Sequence, residues 1–392
     1  MKMQIRAGLT AVALTLAMGL AGCGHYTCSA GFGASTCNTS GGGTGTTGNG
    51  IVYTYLLAET GAADGMAADS LNLSANSFDQ ENSFVAPPLP SGLPADGGTV
   101  VVNLPGQTYF YAPFDNGSLY GWAINGTTGA LTAVAGSPYA VSGGNAIAAT
   151  PSGTYLFVSD FATGEISAFS INASTGALTA VAGSPFPSGI AAAQMTTDGQ
   201  GKYLYITTGF GGGAQIAALS IDSGVLSTVA GSPFNFGVSI GKILGENSGE
   251  YLVGISGVDS NIYVFGITAG TGVLASGTAF ATASIPINIA VNPTGTFVYA
   301  FDGLSTPMEG YGISASGVLT AVAGSPFTGV NLNAGQFDQS GLYLFGTAQG
   351  EAAIDFGPYG VDTSTGQITA LTYELGGFPG GSFAVSDLTD AP

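Results

Sequence analysis

Cations are what this chain of 392 residues lacks most. It has 4 Lys and Arg against 23 Asp and Glu, a formal net charge of −19. Only 7% of its residues are charged, where a soluble domain has about 25%. So few Lys and Arg cannot neutralise a phosphate backbone, which excludes nucleic acid as a partner. The chain has one His, His25, and one Arg, Arg6. Its three Cys are Cys23, Cys28 and Cys37. Beyond those N-terminal positions no Ser-His-Asp triad, thiol nucleophile or His/Cys zinc centre can be assembled. Gly is abundant, at 66 residues, but without the strict period of three that collagen needs. Hydrophobic residues make up 45% and aromatics 10%, enough to build a core.

The N-terminus reads as an address. Lys2 and Arg6 precede an apolar run from Ala7 to Leu20. That run is too short for a membrane span and matches a secretory signal. Leu20-Ala-Gly-Cys23 resembles the bacterial lipobox. That resemblance implies a signal peptide over 1–22 and a lipid on Cys23. The lipid would hold the chain to a membrane at the cell envelope, on its periplasmic or extracellular face. An ordinary signal peptide beside a chance Cys is the other reading. Residues 23–50 are a Gly/Ser/Thr-rich tether. In it, Cys28 and Cys37 could pair as a disulfide or stay as thiols. Gly43-Thr-Gly-Thr-Thr-Gly48 matches G-x-G-x-x-G, but no strand precedes it and no helix follows, so no dinucleotide site is expected.

From residue 51 a repeat governs the pattern. The phrase Gly129-Ala-Leu-Thr-Ala-Val-Ala-Gly-Ser-Pro-Tyr139 returns at Gly176, Gly224 and Gly317, with weaker copies at Gly272 and Gly366. A second phrase keeps the same beat, as in Gly153-Thr-Tyr-Leu-Phe-Val158 and Gly201-Lys-Tyr-Leu-Tyr-Ile206. Periods near 47 residues mean stacked supersecondary units. Each unit reads as four short strands with Gly, Pro, Asn and Asp between them. A third-strand column runs through Trp122, Phe169, Leu219, Phe265, Tyr311 and Tyr359. Four-stranded units repeated radially are blades of a β-propeller. The expected fold is thus all-β, with 51–392 forming a seven-bladed β-propeller of four-stranded antiparallel blades. Six blades fall between about residues 97 and 376. The seventh is expected to be composite, pairing Ile51–Leu57 with Ser382–Ser386, with Ala62–Pro94 supplying its other two strands.

The run Gly164 to Phe186 carries Gly-x-Ile-x-x-Phe-x-Ile-Asn-x-x-Thr-Gly-x-Leu-Thr-x-Val-x-Gly-Ser-Pro-Phe. It resembles the lactonase family of seven-bladed propellers, whose named member is the propeller-type 6-phosphogluconolactonase. The resemblance covers roughly residues 97–376. It implies that fold and, by analogy, a lactone-opening activity. The family's proposed sites rely on His, Arg and Glu, and no position here takes over the His or Arg. Inside the propeller the cations are Lys202 and Lys242.

What remains is carboxylate chemistry. Asp115, Asp160, Glu165, Asp259, Asp302, Glu309 and Glu351 fall at the turn between second and third strands. They can form an anionic rim that binds a cation such as Ca²⁺ or a neutral sugar. The same residues also cap and solvate turns without any ligand. Asn125, Asn172, Asp222 and Asp362 read as hairpin residues on the opposite face. The preferred expectation is a non-catalytic module that binds a protein, a glycan or a cation, with no cofactor beyond that possible Ca²⁺. The alternative is a divergent lactonase or related hydrolase that uses carboxylates, with or without a divalent metal.

Overall fold

The computed structural model describes the backbone of residues 51–58, 65–74, 77–85, 98–114, 116–126, 128–211, 213–302, 307–330, 332–349, 354–370, 375–378 and 381–387. Side chains are described within those ranges from 98 to 346 and from 359 to 370. Among the described residues no helix is long and apolar enough to cross a membrane.

The repeat folds as six antiparallel blades. Blade one runs from Val100–Leu104 to Leu131–Ala133. Blades two to six begin at strands Ile147–Ala149, Gln194–Thr197, Lys242–Gly245, Asn288–Val291 and Ala334–Phe337. Within each blade the strands pair in chain order, from the innermost first strand outward. The third-strand column holds register in all six. Trp122, Phe169, Leu219, Phe265, Tyr311 and Tyr359 face Phe110, Leu156, Leu204, Leu252, Val298 and Leu344.

Two expectations are corrected here. The repeat builds six blades, not seven, and four of them (one, two, three and six) carry a fifth short strand. The composite blade is not a further copy of the repeat. Strands Ile51–Ala58, Gly65–Ser74, Ser77–Val85 and Gly381–Asp387 form their own four-stranded sheet. Its last strand runs beside the innermost strands of blades six and one. Its sequence has neither the hairpin phrase nor the Gly-Ser-Pro loop, so it lacks the residues by which the six repeat units lock together.

Those locks explain the repeat. The core lies between blades, with one apolar cluster at each junction from one–two to five–six. At each of those junctions a hairpin Gly lies against an aromatic ring of the preceding blade. A Cβ on Gly272 would come within 2.3 Å of the Tyr203 ring, and one on Gly176 within 2.3 Å of the Tyr109 ring. Both glycines also have positive φ, at 71° and 67°, where an L side chain is strained. At alternate junctions a buried hydroxyl adds a bond. Tyr111, Tyr205 and Tyr299 donate to the carbonyls of Gly176, Gly272 and Gly366, at 2.6, 3.0 and 2.6 Å. The Ser of each Gly-Ser-Pro loop accepts from a third-strand N–H. Ser137, Ser184, Ser232 and Ser325 take those of Gly121, Ala168, Ala218 and Gly310.

A buried polar residue also ends the first strand in blades two to six: Thr150, Asp198, Glu246, Asn292 and Asp338. Each folds the next turn onto its own oxygen. Asp198 Oδ1 accepts from the N–H groups of Lys202 and Tyr203 at 2.7 and 2.8 Å. Asn292 Oδ1 does the same for Thr296 and Phe297, both at 2.8 Å. Burial pushes the Asp198 carboxyl above its usual range, against the pull of those N–H groups. A raised carboxyl favours folding while protonated, and its contribution is lost as pH rises through the folded value.

Two predictions follow from these contacts. Gly272→Ala should lower the melting temperature by several degrees, a cost of at least about 1 kcal/mol, while exposed Gly126→Ala should change it little, since nothing lies within 4 Å of that Cβ. Equal effects would remove the junction as the reason for the repeated Gly. Asp198→Asn should match the parent near pH 4 and equal or exceed it at pH 7. Asp198→Ala, by stranding the N–H groups of Gln200, Lys202 and Tyr203, should cost about 1–3 kcal/mol at both. Melting curves at the two pH values check this.

Candidate functional site: a polar column at the propeller channel

In each blade the loop that enters the first strand and the turn between second and third strands lie at the same end, because successive strands alternate in direction. The expected acidic rim belongs to that end. Asp115 and Glu351 lie outside the described residues. Asp160 is buried, and its Oδ1 caps the turn by accepting from Ala162 and Thr163 N–H at 2.9 and 3.3 Å. Glu165 opens the third strand opposite Asp160 and is half-buried. Asp259 accepts from the Tyr263 hydroxyl at 2.7 Å. Burial first, and then that bond, push the hydroxyl up to about 12.

Among the described residues, two of these acids hold the same loop. Asp302 accepts from the Ser284 hydroxyl. Glu309, which is buried and begins a strand, accepts from Ala283 N–H at 2.7 Å and from the Tyr311 hydroxyl. Burial and then Glu309 raise that hydroxyl above its ordinary value. Both acids therefore fasten the loop between blades four and five. Among the described residues, no three His, Cys, Asp or Glu side chains gather in a way that could hold a metal ion.

A different set of residues meets at the innermost strands. One ladder position, the first residue of the first strand, holds Gln194, Lys242 and Asn288 in blades three, four and five. They face Thr207, Ile255 and Phe301 across the ladder. The matching position in blade two, whose N–H goes to the Ser159 hydroxyl, is Ala146, and in blade six it is Ala334. The innermost strands of blades three, four and five run side by side, so the three polar residues form a continuous column. Lys242 is 2% exposed and gives an ammonium N–H to Asn288 Oδ1 in the next blade. Gln194 is 7% exposed, and its Nε2 has no hydrogen-bond partner. A buried amide left unpaired costs about 1–3 kcal/mol and calls for a water or ligand.

Phe210 packs against the apolar cluster between blades four and five and reaches to within one residue of Lys242. Its ring lies flat against Gly241, the residue before Lys242, and against Gly257. A Cβ at either glycine would approach it to 2.0 and 2.4 Å. The column was missed in the sequence because reading each repeat alone hides it. Stacking the first strands would have shown Gln, Lys and Asn replacing Ala in three successive units.

Comparison with known proteins fits this architecture. Residues 145–330 match the family model described as Lactonase, 7-bladed beta-propeller. No curated protein matches the chain. A candidate 6-phosphogluconolactonase from Bacteroides fragilis superposes with a TM-score of 0.66 at 16% identity, covering 88% of this chain and 99% of that one. A second candidate from Bacteroides uniformis gives 0.63 at 16%, covering 86% and 99%. The periplasmic gluconolactonase PpgL of Pseudomonas aeruginosa gives 0.63 at 13%, also covering 86% and 99%. None of these descriptions speaks of a lipid, and Cys23, Cys28 and Cys37 lie outside the described residues. The structure and the comparisons give the expected lipid on Cys23 no support. At these identities the likeness is one of fold, and that fold is a lactonase-like β-propeller.

Proposed function

We propose that the chain hydrolyses a lactone in an extracytoplasmic compartment. The observation that carries this reading is the column of Gln194, Lys242 and Asn288. It offers buried N–H donors and one positive charge on the innermost strands of a lactonase-like fold. Opening a lactone with water forms a C–O bond to the carbonyl carbon and breaks the ring C–O bond, while a proton passes to the departing alkoxide. Negative charge gathers on the carbonyl oxygen in between. A buried ammonium and an unpaired amide N–H are the groups that stabilise such charge, and in a dry site they do so strongly. Water is the nucleophile in this reading.

The location rests on two supports. The N-terminal stretch has the form of a secretory signal, and PpgL, a structure of similar fold, is described as periplasmic. This reading is preferred to the expected binding module, whose support was the tether, the anchor and the missing catalytic side chains. Asp160 and Glu309 spend carboxylate oxygens on loops, and Asp302 spends one, its Oδ1 staying buried without a partner.

A pH-stat assay of the full chain on a panel of lactones tests the proposal. Hydrolysis above the spontaneous rate is expected. Lys242→Met and Gln194→Leu should each lower kcat/KM by about 10²-fold, with the circular dichroism of the parent. A parent rate equal to the uncatalysed one, or variants as fast as the parent, would refute it.

A further inference from the structure

We infer that the substrate is a neutral lactone carrying an apolar arm, with Phe210 as the residue that selects it. The inference rests on the reading of the column as the lactone site and adds the substrate class. Phe210 stands over Gly241, next to Lys242, and touches Gly257. Val258 follows Gly257 and is 65% exposed, the most exposed large apolar residue described. Ile285, 43% exposed, precedes Asn288 by three residues in the loop between blades four and five. Apolar side chains thus flank the buried polar column on the loops of blades three, four and five.

That arrangement suits an amphiphilic molecule. Its carbonyl end meets Gln194 and Lys242, and its hydrocarbon end lies along Phe210 and Val258. Charge argues the same way. A phosphorylated sugar lactone needs several cations, and the column supplies one Lys in a chain of net charge −19. A field of that sign repels an anionic substrate. A neutral lactone meets no such barrier.

The experiment compares δ-lactones with methyl, propyl and pentyl side chains, beside gluconolactone, on the full chain. kcat/KM should rise about tenfold from methyl to pentyl, as buried methylenes contribute, and gluconolactone should be the poorest of the set. Phe210→Ala should abolish the chain-length gain, lowering the rate on the pentyl compound about tenfold more than on the methyl one. Val258→Ser, a surface change that does not threaten folding, should reduce the gain in part. A flat series, a preference for gluconolactone, or equal losses on all members in Phe210→Ala overturns the inference. Calorimetric binding of the matching alkyl δ-lactams, which resist hydrolysis, separates the two readings. Binding that tightens with chain length and weakens in Phe210→Ala upholds the apolar arm even where no lactone is turned over, and in that case only the hydrolytic reading fails. Binding independent of chain length ends the inference whatever the turnover.

Discussion

The contact between a glycine and an aromatic ring at each blade junction is the constraint on which the rest depends. A propeller has few contacts that tie one blade to the next except side chains on facing sheets. Here the first aromatic of one blade's second strand lies on the bare Cα of the next blade's hairpin, as with Tyr155 on Gly224 and Tyr251 on Gly317. A side chain there would force the sheets apart. The hairpin needs the same residue for its own reason, since its φ is positive. Two demands fall on one position, and glycine alone meets both. That double demand makes the leading Gly the most regular mark in the sequence.

Because the junctions are closed by these local contacts, the channel side is released from structural duty. That ladder position can be Ala in blades two and six and Gln, Lys and Asn in the blades between. Polarity at that position is not part of the repeated Gly-aromatic lock, although Lys242 and Asn288 do join blades four and five. A buried ammonium loses hydration that contacts such as the one to Asn288 must offset. An unpaired Gln194 amide adds a further cost. Costs of this kind gathered on three successive blades, in a chain with almost no other cations, mark a site and not a core.

How much of this was legible in the sequence follows from where each signal sits. The architecture was legible because its cause is periodic. Gly, the Tyr-Leu phrase and Gly-Ser-Pro recur because every junction is the same problem, and Trp122 to Tyr359 fell into one register for that reason. The terminal sheet was legible only as strands that could pair. It carries no repeat phrase, so nothing in its sequence fixed it as an equivalent unit. The acids misled because Asp and Glu serve turns as readily as ligands. Asp160 holds Ala162 and Thr163, and Asp302 and Glu309 hold one loop. The buried acids Asp198, Glu246 and Asp338 drew no notice, yet each ends a first strand as an internal cap.

Lys242 was seen and set aside as one cation among two. What distinguishes it from Lys202 is position in the repeat. Lys202 is exposed in the turn that Asp198 folds, and water screens its charge. Lys242 opens an innermost strand, where blades four and five meet, and its charge acts in a medium of low polarisability. The same side chain is thus worth little in one phase of the 47-residue beat and much in another. In a repeat protein the phase of a residue, more than its identity, decides whether it decorates the surface or builds the site.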